Sequence, residues 1–131
     1  MGTKQSGLAV LTKSKDLCSY IMTITQRSPK QFRFTLVSRI QNYSLDVIEY
    51  LYRANDTFVK SGDGVTADTR RSYQQQAMTQ LRLLAYMSQL SMEHKVILPK
   101  QYEQIAERVH EVMNLLGAWI RSDEKRFGKR D

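Results

Sequence analysis

From Lys30 through Ser61 the chain contains neither proline nor glycine, and Leu36, Val37, Ile40, Val47, Leu51, Ala54 and Phe58 recur there at three- and four-residue steps. That period puts them on one stripe of an α-helix, with polar side chains opposite. At about 1.5 Å of rise per residue, a helix from residue 29 to 60 is roughly 45 Å long. A compact ball of 131 residues has a radius of gyration of only about 14 Å. So long a helix calls for an elongated bundle. Breakers are scarce throughout, two prolines and six glycines in all, which disfavours a fold of many short strands. The fold class is all-α.

Three further helices follow from the same reasoning. Leu17, Tyr20, Ile21 and Ile24 mark one face of a helix over about 13–27. Ser28-Pro29-Lys30-Gln31 supplies a hydroxyl cap, a proline at the first helical position and a glutamine at the capping-box position, so helix two is expected over 29–60. The turn-rich Ser61-Gly62-Asp63-Gly64-Val65 precedes helix three over 66–94, with Thr66 as its cap and Tyr73, Ala77, Leu81, Leu84 and Ser88 on its buried side. Pro99 opens helix four over 99–122, where Tyr102, Ile105, Ala106, Val109, Val112, Met113, Leu116 and Ile120 form the cleanest periodic pattern. Interior Gly117 costs about 1 kcal/mol against alanine, and implies a close helix approach beside Trp119. Residues 1–12 are expected to form a flexible N-terminus and 123–131 a charged flexible tail. Short loops between four helices imply an antiparallel up-down-up-down bundle within one domain.

Composition excludes several classes. Apolar residues make up 41% of the chain and charged residues 25%, so it is expected to fold. The lone Cys18 cannot close an internal disulfide, and reads as a small buried hydrophobe. No apolar run is long enough for a membrane span or signal peptide, and the expected setting is the cytoplasm. Gly62-Asp63-Gly64 lacks the lysine and hydroxyl of a phosphate-cradling loop and reads as a turn. Glu107 and His110 have the E-x-x-H spacing of di-metal bundle enzymes, but a second such motif and two further inward glutamates are missing. No catalytic residue, cofactor or metal is expected.

Charge carries more information than catalysis does. The net charge is +7, and residues 1–60 hold nine basic and four acidic groups, against four and three in 61–98 and seven and six in 99–131. Arg27, Lys30, Arg33 and Arg39 cluster at the corner between helices one and two with no acid among them. Such a corner can meet phosphates, or simply keep the surface soluble. Arg33 falls on the core stripe of helix two, so an internal ion pair is an alternative there. On helix three, Arg71, Gln75, Arg82, Tyr86 and Gln89 lie opposite the core stripe, and no acid occurs from Thr69 to Met92. These side chains suit phosphates and bases, or a protein partner.

Helix two is also too apolar for one core. Phe32, Tyr43 and Tyr50 lie on one flank of its stripe and Phe34, Leu45, Tyr52 and Val59 on the other. The excess predicts a second burial surface, for self-association or a large partner, unless the tyrosines snorkel and helix one covers the rest.

The run Pro29-Lys30-Gln31-Phe32-Arg33-Phe34, then Ile40, Ile48-Glu49, Leu81-Arg82 and above all Leu115-Leu116-Gly117-Ala118-Trp119-Ile120 resemble the accessory variability determinant (Avd) proteins of diversity-generating retroelements. The likeness covers about Leu17 to Ser122. These proteins belong to a wider four-helix-bundle group that includes proteins encoded in ribosomal-RNA intervening sequences. The resemblance implies a non-catalytic partner of a reverse transcriptase that binds template RNA or cDNA and assembles as a five-fold ring, a homopentamer. It also implies that Phe34, Leu45, Tyr52, Gly117 and Trp119 serve ring packing and that Arg82 faces nucleic acid or polymerase. A stand-alone bundle of the intervening-sequence type, binding nucleic acid or protein, is the alternative.

Overall fold

The structure, a computed structural model, describes residues 3–60 and 62–128, with side chains from residue 6 onward. Four long helices make it up: α1 (Thr3–Ile24), α2 (Ser38–Asp56), α3 (Gly64–Glu93) and α4 (Pro99–Phe127). Each packs on two neighbours, α1 on α2 and α4, and α3 on α2 and α4. Helices adjacent in sequence are thus adjacent in space, the up-down-up-down arrangement. Among the described residues there is no strand, and no helix is long and apolar enough to cross a membrane.

The periodic stripes meet in the middle. Leu17 and Ile21 of α1, Ile40, Val47 and Leu51 of α2, Ala77, Leu81 and Leu84 of α3, and Ile105, Val109, Val112 and Leu116 of α4 are all buried. Fully burying one such aliphatic side chain contributes about 1.5–3 kcal/mol, so these stripes supply most of the force that sets the helices side by side. Cys18 is buried with them and accepts a hydrogen bond from Ser44 Oγ at 3.3 Å.

The ends of the helices differ from the sequence expectation. The first helix is in place from Thr3, within the stretch expected to be flexible, and α4 continues to Phe127 through residues expected to belong to the tail. Both extensions have a packing reason: Val10 joins the core near the start of α1, and Asp123 is buried near the end of α4. Helix two does not begin as a regular helix at Pro29. A 3-10 turn over Lys30–Phe32 leads into a π-helical segment, Arg33–Val37, before α2 starts at Ser38. Ser28 is no cap, because its hydroxyl donates instead to the Val96 carbonyl at 2.8 Å. At the other end α2 stops at Asp56, so Phe58 leaves the stripe and is 77% exposed while Val59 turns inward.

Two caps are explicit. Asp63, not Thr66, caps α3: its Oδ1 accepts from the Val65 N–H at 3.0 Å and the Thr66 N–H at 3.3 Å. A carboxylate there also faces the positive end of the helix dipole. The α3–α4 turn is a Schellman motif. The Val96 N–H donates to the Ser91 carbonyl at 2.8 Å and the Lys95 N–H to the Met92 carbonyl at 3.0 Å, with Lys95 at φ 61° in the left-handed position that favours glycine. α4 then starts on Pro99, with Gln101 Oε1 accepting the Leu98 N–H at 2.8 Å.

The close helix approach beside Trp119 exists, but Gly117 does not create it. A methyl on Gly117 would meet only Arg121 of its own helix, at 3.3 Å. A methyl on Gly7 of α1 would lie 2.1 Å from Asn55 Oδ1 and 3.1 Å from the Trp119 ring. Gly7 is therefore the residue that lets α1 lie against α2 and α4.

Candidate nucleic-acid interface

The basic corner expected from sequence is a groove. Arg27, Lys30 and Arg33 line it with Thr25, Gln26, Ser28, Pro29, Val37 and Gln41, enclosing about 470 Å³. No acid lines it. Its floor is held by Gln41 Nε2, which donates to Thr25 Oγ1 at 2.9 Å, while that hydroxyl donates to the Ile21 carbonyl at 2.7 Å. The irregular backbone over residues 30–37 matters to the groove, because it releases Arg33 from the core stripe. Arg33 is exposed and makes no ion pair among the described residues. π-helical segments are frequent at functional sites.

Tertiary structure adds cations that sequence reading missed. The Ser28–Val96 hydrogen bond fixes the α1–α2 corner beside the α3–α4 turn, and the rings of Phe32 and His94 lie 6.5 Å apart. This end of the bundle gathers residues 25–37 and 93–101, with Arg27, Lys30, Arg33, Lys95 and Lys100 against the single acid Glu93. Lys95 and Lys100 lie more than sixty residues along the chain from the corner, and no local pattern links them to it.

Arg39 stands apart from the groove; its Nη1 donates to the Tyr43 hydroxyl at 3.2 Å. On α3, Gln75, Arg82, Tyr86 and Gln89 are exposed as expected, with Tyr86 70% accessible. Arg71 is the exception. Its guanidinium pairs with Glu124 of α4 and is three-quarters covered, so it belongs to the bundle's internal ties.

The opposite end holds a buried ion pair. Arg70 of α3 holds Asp123 through Nε–Oδ2 at 2.8 Å and Nη2–Oδ1 at 3.1 Å, and Gln74 Nε2 donates to the same carboxylate at 2.9 Å. The Arg70 guanidinium also lies 4.9 Å from the Trp119 ring centroid. Burial is the larger influence on both ionisable groups, pushing the Arg70 guanidinium down and the Asp123 carboxyl up against their mutual attraction. Such a pair adds little net stability, but removing either partner would strand a buried charge. These pairs neutralise Arg70 and Arg71, while Lys60, Arg121, Lys125 and Arg126 leave this end positive as well.

The residues assigned to oligomer packing divide. Phe34 is 87% exposed, Tyr52 63% and Leu45 46%, and the last two lie seven residues apart on one face of α2. Phe32, Tyr43 and Tyr50 instead pack against the chain's own core, and Val59 is buried. Trp119 is buried inside the bundle, so it packs this chain's own core and presents no surface to another copy. Gly117, as above, opens no helix contact. Glu107 and His110 are both exposed on the outer side of α4, and no three potential metal ligands gather among the described residues.

Fold and groove together define a small antiparallel four-helix bundle with an acid-free basic groove at one end. The family model described as bAvd-like matches residues 8–123, and the chain belongs to that family. The match agrees with the Avd resemblance carried by the Leu-Gly-Ala-Trp-Ile block, and the family is generally an accessory, non-catalytic kind of protein. No curated protein sequence matches the chain.

Proposed function

We propose that this chain is the accessory protein of a diversity-generating retroelement, binding its reverse transcriptase and template RNA or cDNA to support mutagenic reverse transcription. It performs no chemistry of its own. The observation that carries the reading is the acid-free groove of Arg27, Lys30 and Arg33, joined at one end of the bundle by Lys95 and Lys100. Phosphates are the ligands such a cluster holds best, and several converging cations give a strongly salt-dependent interaction. Membership of the bAvd-like family supports the polymerase as partner. Phe34, Leu45 and Tyr52 form the contact between copies in a ring-like homo-oligomer, a homopentamer by family likeness, which repeats the basic end around the ring.

The test is reconstitution of cDNA synthesis from the retroelement's template RNA by its reverse transcriptase, with and without this chain. Loss of template-primed cDNA on omission, restored by adding the protein back but not by the Arg27→Ala/Lys30→Ala/Arg33→Ala variant, is expected. Synthesis indifferent to the protein would contradict the reading and favour a stand-alone bundle.

A further inference from the structure

We infer that the outer face of α3 receives the unpaired bases of a single RNA strand whose phosphates are held at the basic end, with Tyr86 as the stacking platform. The inference rests on the nucleic-acid reading above and specifies its ligand. Gln75, Thr79, Arg82, Tyr86 and Gln89 fall within an arc of about 80° when α3 is turned at about 100° per residue, directly opposite the buried Ala77, Leu81, Leu84 and Ser88. The arc extends roughly 21 Å along the helix. All five side chains are exposed.

The chemistry of this face differs from that of the groove. From Thr69 to Met92 there is no acid to repel a polyanion, yet Arg82 is the arc's single cation. Amides, a hydroxyl and a ring can meet base edges and base faces, and a face with one cation adds little to phosphate binding, so bases are the part of a strand it suits better. Tyr86 is 70% exposed and is held by no hydrogen bond or ring contact among the described residues, so its face is free for stacking. It sits about 10 Å of helix rise from Glu93, where α3 reaches the cationic end. In this inference a strand held at that end by its phosphates runs on along this face. A duplex cannot use it, because its bases are already stacked and its deep groove is closed to side chains.

The experiment is titration of the full chain against a labelled unstructured single-stranded RNA and a duplex RNA of equal length at one salt concentration. Tyr86→Ala is expected to weaken single-strand binding by about tenfold and leave duplex binding and the salt slope unchanged, while Tyr86→Phe, which keeps the ring, stays within about twofold of the parent. Equal single-strand affinity for parent and Tyr86→Ala, while the Arg27/Lys30/Arg33 alanine variant loses affinity, would overturn this inference and leave the basic groove standing. The same would follow if Tyr86→Ala weakened only the association with the polymerase. A parent chain that binds neither RNA would overturn both readings.

Discussion

Lys95 is the residue where local backbone preference and position in the fold disagree. A Schellman turn wants glycine at the left-handed position, and a lysine there at φ 61° carries a conformational penalty of about 1 kcal/mol or more. What the lysine adds is a cation at the same end of the bundle as the Arg27–Lys30–Arg33 groove. Lys95→Gly is therefore expected to stabilise the bundle by about 0.5–1 kcal/mol in thermal or urea unfolding, and to weaken RNA binding at low salt. A variant less stable than the parent would show that the side chain contributes packing instead. None of this is visible in the sequence, where Lys95 is one polar residue just past the expected end of helix three. The Arg70–Asp123 pair was equally hidden, since it joins positions 53 apart and Asp123 stands in what reads as a charged tail. Only its partner across the bundle explains its burial.

At the scale of elements, apolar periodicity carried most of the fold. The stripes of all four helices are the ones found in the core, because side-chain burial follows the helical repeat whatever the loops do. Periodicity fails where the backbone departs from the regular repeat: in the π-helical Arg33–Val37 segment Arg33, on the stripe by spacing, is exposed. Caps were misplaced for a related reason, as Ser28 has a distant partner that no local rule supplies. The excess apolar surface of α2 was legible, and the structure divides it. One flank is absorbed by the core, and Phe34, Leu45 and Tyr52 remain uncovered. Light scattering is accordingly expected to give a multiple of the 15.3 kDa chain mass, and Phe34→Ser/Leu45→Ser/Tyr52→Ser to give a folded monomer of unchanged helicity. A parent protein monomeric at micromolar concentration would remove α2 as an assembly surface.

For the molecule as a whole, the arrangement of charge follows from topology. An even number of helices with short loops brings the α1–α2 corner and the α3–α4 turn to the same end, and the Ser28–Val96 hydrogen bond joins them. That end gathers cations into an acid-free groove, while at the other end Arg70 and Arg71 are tied internally to Asp123 and Glu124. The sequence showed the basic corner but not the second loop's contribution, which depends on long-range packing. It also offered Arg71 as a free cation, and the bundle uses that residue internally. The central claim is that the groove end holds RNA phosphates, and the logarithm of RNA affinity against the logarithm of salt concentration measures this most directly. Replacing Arg27, Lys30 and Arg33 by alanine should lower the magnitude of the slope by about 2, since each single-strand phosphate that a cation neutralises adds roughly 0.7 to it, with the circular dichroism spectrum unchanged. A slope equal to that of the parent chain would contradict the account.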